Sequence, residues 1–261
     1  MIVFVDYPDG AGGEFLSKVI GMHDGWYNPS VIDESTMRAN HNDPITSFLL
    51  LKRFENYSQW DIIAEESLIE LKNKIGDLNV CIPYHSCAHR HNALLKHVFP
   101  NSIIITITPS SDHEWKLVNT EIIRKIYLDK LDFQGVQYIF KTFGFGQKKV
   151  NVKHFLKLDS FLIRNGKEIT TANRIELLNQ IRDFKISDWE TSDYTINWGD
   201  LFLSISNIND EYYKLCNFLN IPPQDNILNH IVKRNQINLN HLLDYNIDNE
   251  IIKYCHSNDK P

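Results

Sequence analysis

The chain has 261 residues, 43% hydrophobic, 11% aromatic and 23% charged, an ordinary globular composition that argues against long disorder, a collagen-like repeat or a coiled-coil rod. Its 33 acids against 27 bases leave a net charge of −6 and a pI near 6.0, which argues against a basic protein that coats nucleic acid. The length is ample for a sizeable core, and 26 Asn and 32 Ile against 11 Gly reflect AT-rich codons rather than any chemistry.

The opening MIVFVDYPDG lacks a basic leader region and turns early, so residues 2–5 are expected as a core strand rather than a signal peptide. A continuous apolar run of this kind suits a strand buried on both faces of a parallel sheet. After a glycine-rich turn, Phe15, Leu16, Val19 and Ile20 share one helical face, and Gly21 gives a stop signal. Residues 22–44 are rich in turn formers and are expected as a surface loop. Apolar spacing predicts a helix over 58–76, a short strand over 80–82 ending at Pro83-Tyr84-His85, and a helix over 88–98. The run SIIITI predicts a buried strand over 102–107. Pro109-Ser110-Ser111-Asp112 breaks it and caps a helix expected over 115–131.

Further along, 133–187 is less regular, with a loop at 144–149 and a helix at 173–182. A late strand is expected at 195–198 and a helix at 209–219 with Tyr213, Leu215, Cys216 and Leu219 inward, followed by a weakly helical tail. Alternating strands and helices predict an α/β fold with a three-layer parallel sheet. No repeat or linker divides the chain, so one domain over 1–261 is expected, its helical tail 222–261 packed on the core. No run approaches the roughly 18 apolar residues of a membrane span. Cys81, Cys87, Cys216 and Cys255 have no tight pairing and do not form a secreted disulfide framework, so an intracellular, cytoplasmic protein is expected.

Two segments carry candidate chemistry. Gly10, Ala11, Gly12, Gly13, Glu14 and Phe15 join the first strand to the first helix, where small residues let backbone N–H groups and the helix dipole meet an anion. The turn is not a Walker A loop, because the Gly-Lys-Ser/Thr ending is absent, and it does not fit G-x-G-x-x-G. Asp9 and Glu14 flank it, and the alternative is a tight turn that needs glycine for positive φ. The second segment holds His85, Cys87, His89 and His91, with Cys81 and His97 nearby. A zinc site lacks an obvious fourth ligand. His85 at a strand end is placed to act as a base near neutral pH, and the remaining histidines suit a solvated helix face.

In order and spacing these pieces resemble the sulfotransferase family: a strand–glycine turn–helix start, a strand ending in His85, and a strand ending in Pro109-Ser110-Ser111. The stretch Ile196-Asn197-Trp198-Gly199-Asp200-Leu201-Phe202 and the helix through Leu219 look like that family's late strand and final helix. The resemblance implies a P-loop-like fold that moves a sulfuryl group from 3′-phosphoadenosine 5′-phosphosulfate to a hydroxyl or amine. It implies that residues 10–15 hold the 5′-phosphosulfate, that Thr108, Ser110 and Ser111 lie at the 3′-phosphate, and that His85 deprotonates the acceptor, with no metal. The acceptor would be a small molecule or a glycan; no nucleic acid or membrane partner is implied.

The chain departs from the family pattern where it matters for charge. The family's loop lysine falls on Asp9 or Gly10, its strand-end arginine on Ile107 or Thr108, and the serine one turn later near Trp115. Arg90, Lys116, Lys148 and Lys149 are the candidates to replace those cations. Two other readings follow: a non-catalytic binding or assembly protein on the same scaffold, viral by its composition, and a nucleotide-binding kinase or NTPase.

Overall fold

A computed structural model of the protein describes residues 1–8, 10–28, 32–33, 38–39, 43–49, 65–85, 91–128, 162, 166–168, 170–186, 189, 191–204 and 206–244. Four strands form an all-parallel sheet: β1 (Ile2–Tyr7), β4 (Val80–His85), β5 (Ile103–Thr108) and β6 (Tyr194–Asn197), in the order β4-β1-β5-β6. The fold is the expected α/β class. Strand alternation assigns the two faces. Phe4, Ile82 and Ile104 are in register and join a buried cluster with Leu68 and Leu71 of α2 (Glu65–Ile75) and Leu95 and Val98 of α3 (Asn92–Val98). On the opposite face, α1 (Gly13–Gly21) packs along β1 and β4. Helices therefore cover both faces, as isoleucine- and valine-rich parallel strands require.

The strands run further than their apolar cores suggest. β1 continues through Asp6 and Tyr7, and β4 through Pro83 to His85, with Val5 opposite Pro83 and Tyr7 opposite His85. Among the described residues β4 is an outer strand of the sheet, where Pro83 has one side without a ladder bond to lose. Residues 22–44 are not wholly loop. Two-residue strands β2 (Ile32–Asp33) and β3 (Arg38–Ala39) pair antiparallel, and Tyr27 N–H donates to Asn79 O at 2.7 Å beside β4. Of the helix expected over 58–76, residues 58–64 lie outside the described residues. So do 86–90 of the helix expected over 88–98, 129–131 of that over 115–131, and the loop at 144–149.

Contacts divide the chain into two compact units, Met1–Ser110 with Ser187–Leu242, and Ser111–Ile186 with Leu243–Pro261. The sheet lies in the first unit, with α6 (Trp198–Phe202), α7 (Ile208–Leu219) and most of α8 (Asp225–Asp244). On α7 it is Tyr212 that faces inward, at 1% exposure, while Tyr213 is 41% exposed. The reason lies in His23, just past the end of α1. Its Nδ1–H donates to Ile20 O at 3.0 Å, which leaves Nε2 to accept from the Tyr212 hydroxyl at 3.1 Å. Gln224 N–H in turn donates to the Tyr212 oxygen at 2.9 Å. Burial lowers the His23 pKa and raises those of Tyr212 and Cys216, so all three are neutral groups holding α1 to α7.

The second unit contains α4 (Asp112–Leu128) and α5 (Thr171–Arg182). α4 begins three residues before the expected position, because Ser111 is its cap: the Ser111 hydroxyl accepts from Glu114 N–H at 3.2 Å, and Ser-x-x-Glu is capping-box spacing. Asn119 Nδ2 donates to Arg182 O and Phe184 O, pinning α4 to the end of α5. Among the described residues no helix is long and apolar enough to cross a membrane.

Candidate functional site

Parallel strands all end at one edge of a sheet, so register alone gathers the expected residues of the first unit. The glycine-rich turn leaves the end of β1. His85 ends β4 opposite Tyr7, and Thr108 ends β5 opposite Asn197 of β6. In sequence order the strands run second, first, third, fourth across the sheet. The chain leaves β1 toward one side and later returns to the other, which makes the crevice beyond β1 and β5 the topological switch point, where open α/β sheets bind ligands.

The turn itself is closely built. Gly10 has φ 83° and Gly12 φ 76°, both left-handed, and Ala11 N–H closes the turn onto Pro8 O at 3.1 Å. Gly12 occupies the N-cap position of α1, and among the described residues no side chain caps the helix. Gly13 has a different requirement. A Cβ there would lie 2.1 Å from Tyr7 Cδ1, so the ring of Tyr7 fills the space that glycine leaves. Phe202, at the end of α6, lies over Gly12, with Cζ 3.2 Å from where a Cβ would be. The 196–202 stretch therefore reaches the turn physically: Asn197 Oδ1 accepts from Gly199 N–H at 3.0 Å, starting α6 and carrying Phe202 to the glycines.

Thr108 and Ser110 lie where the edge requires, and the Ser110 hydroxyl accepts from Asn197 Nδ2 at 3.2 Å. Ser111 belongs to the second unit, where it caps α4. Asp9 lies outside the described residues, as do Cys87, His89, Arg90, Lys148 and Lys149. Lys116 is an exposed residue of the second unit. His97 points outward on α3, 3.5 Å from the Glu65 carboxylate. Among the described residues no three His, Cys, Asp or Glu side chains converge as a metal site would require.

Two cations near the turn escape a reading of the sequence. Lys18, one turn after Glu14, is 2% exposed, and its ammonium donates to Thr46 Oγ1 at 2.8 Å. Thr46 Oγ1 in turn donates to Asp43 Oδ1 at 2.8 Å, and Asp43 Oδ2 accepts from the Tyr27 hydroxyl at 3.0 Å. Burial pulls Lys18 below the ordinary lysine range, opposed by the charges of Asp43 and Glu14 and by the Cys81 thiol, which burial pushes up. Glu14 thus faces a partner within its own helix rather than acting only against a bound anion. The second cation is Arg234 of α8, whose guanidinium carbon lies 5.9 Å from the centroid of the Phe15 ring, within cation–π range. Lys18 gives no sequence signal, because in a helix it reads as solvated surface. Arg234 gives a faint one: it falls on the same helical face as Ile227 and Ile231, where arginine is uncommon.

No family model matches the chain, and no curated protein matches it. Among solved structures, a sulfotransferase domain from the curacin biosynthetic pathway is similar over 100% of this chain and 92% of that one, at 13% identity and a TM-score of 0.39.

Proposed function

We propose that the chain is a sulfotransferase-like transferase that binds 3′-phosphoadenosine 5′-phosphosulfate at residues 10–15 and passes the sulfuryl group to a hydroxyl or amine. The supporting observation is the common edge: the uncapped, left-handed glycine turn stands between the end of β4, which carries His85, and the ends of β5 and β6, which carry Thr108 and Asn197. In the reaction, the acceptor oxygen or nitrogen forms its bond to sulfur as the bond from sulfur to the phosphate oxygen breaks. The acceptor proton goes to His85, and adenosine 3′,5′-bisphosphate leaves with the electron pair. Backbone N–H groups at the start of α1 stabilise the charge that builds on the leaving phosphate.

A second reading, a binding or assembly protein on this scaffold, is favoured by Lys18. Among the described residues, Lys18 of the helix that follows the turn is buried and donates to Thr46 rather than into the turn. Transfer of labelled sulfuryl from the donor to a panel of hydroxyl and amine acceptors separates the two. The transferase reading expects label on an acceptor, and expects His85→Ala to lower turnover by about 10²- to 10⁴-fold, the usual share of a general base, with little change in melting temperature. Turnover unchanged in His85→Ala removes it as the base. Donor binding without transfer to any acceptor supports the binding-protein reading.

A further inference from the structure

Three elements of the first unit meet at one hydroxyl proton. His23 lies just past the end of α1 and is 3% exposed. Its Nδ1 stands 3.0 Å from Ile20 O, and a carbonyl only accepts, so Nδ1 carries the ring proton and Nε2 keeps a lone pair. The Tyr212 hydroxyl of α7 donates to that lone pair at 3.1 Å, with the two rings stacked at 6.1 Å. The Tyr212 oxygen accepts from Gln224 N–H at 2.9 Å, and Gln224 O accepts from Ile227 and Leu228 N–H as α8 begins. The end of α1, α7 and the start of α8 are thus joined through an acceptor that only neutral His23 provides.

We propose that His23 is an acid-sensitive latch, whose protonation at Nε2 releases the α7–α8 corner, residues 208–228, from the end of α1. Protonation turns Nε2 from acceptor into donor. The Tyr212 hydroxyl must then turn to Gln224 O, 3.3 Å away, which already serves two N–H groups of α8. The larger cost is a cation buried without a partner. From α7 the ring meets the Tyr212 phenol and the Cys216 thiol, 3.8 Å from Nε2, and burial raises the pKa of both, so neither supplies an anion. Glu211, beside Tyr212 in the chain, is turned to the Tyr194 hydroxyl and Lys214. Asp24 favours the cation but is exposed, where solvent screens it, and burial outweighs it to hold His23 below the ordinary histidine range. The sign follows from that depression. The unfolded histidine takes a proton as pH falls through about 6.5 and the latched one does not, so the latch is strongest above about 6.5 and weakens as pH falls toward the folded pKa.

Hydrogen exchange of the intact chain between about pH 7.5 and pH 5, corrected for the intrinsic exchange rate, tests this in wild type and His23→Gln, whose amide does not titrate. Below about pH 6.5 the opening constant of wild-type peptides from 208–228 is expected to rise by up to about tenfold per pH unit, as uptake of one proton on opening requires. The rise should exceed that of peptides from β5, and His23→Gln should lose most of it. The same pH slope in both chains would overturn the proposal. Should His23→Gln fail to fold, wild type alone decides. A corner whose opening constant does not change with pH, or rises no more than that of β5, would show that no such latch exists.

Discussion

Gly13→Ala is expected to destabilise the first unit by about 3 kcal/mol, near the top of the range for overpacking a core, and to lower the melting temperature by about 6–12 °C for a chain of this size. A Cβ at 13 would stand 2.1, 2.2 and 2.7 Å from Cδ1, Cγ and Cε1 of Tyr7, well inside contact distance. Tyr7 is 2% exposed and ends the central strand β1, so its ring has no open space to move into. Either the ring leaves its rotamer or α1 shifts off the sheet, and both disturb the turn. Tyr7→Leu in the same chain removes the obstructing ring, so the double variant should lose clearly less than the sum of the two single losses. Urea unfolding of the four chains measures this. A Gly13→Ala loss below about 1 kcal/mol would mean that the ring does not occupy that space.

Asp43→Ala is expected to cost about 3–4 kcal/mol, since it leaves a buried charge and several donors without their acceptor. The Asp43 carboxylate accepts from Ile45 N–H, Thr46 N–H, the Thr46 hydroxyl and the Tyr27 hydroxyl. Through Thr46 it also sets the acceptor for Lys18, whose buried ammonium depends on that negative charge. Lys18→Met removes the need for it by placing an apolar chain of similar length at the same site. The Lys18→Met, Asp43→Ala double variant should therefore lose less than Asp43→Ala and Lys18→Met added together, by about 1–2 kcal/mol. Strictly additive losses in equilibrium unfolding would show that the two charges are not coupled.

The legible part of the fold is the part written in apolar runs. SIIITI cannot be anything but a buried strand, and the four parallel strands follow from such runs broken by turns and helices. The strand ends are less visible. Asp6 and Tyr7 carry polar atoms and Pro83 lacks an N–H, yet pairing with a neighbouring strand carries β1 and β4 through them. The inward tyrosine of α7 is Tyr212 rather than Tyr213 because His23, nearly two hundred residues away in the chain, offers it a buried acceptor. Helical spacing by itself does not distinguish the two. For the site, the turn and the strand ends are local features and are readable. Its charge is not, because Lys18 turns inward to a threonine from another segment and Arg234 arrives at Phe15 from the C-terminal helix. Both are long-range contacts, which no local pattern records. The balance of −6 counts charges over the whole chain, whereas binding responds to the few that reach the turn.

Thermal unfolding in the presence of adenosine 3′,5′-bisphosphate reads out whether the glycine turn at the end of β1 holds the phosphate of a nucleotide. A ligand that binds only the folded chain, at a concentration about a hundredfold above its dissociation constant, adds about 2.7 kcal/mol of stability. For a chain of this size that corresponds to a rise in melting temperature of about 5–10 °C. Such a rise is expected at millimolar ligand, and a much smaller one with adenosine, which lacks the phosphates. An unchanged melting temperature at millimolar adenosine 3′,5′-bisphosphate, or an equal rise with adenosine, would mean that the turn holds no phosphate.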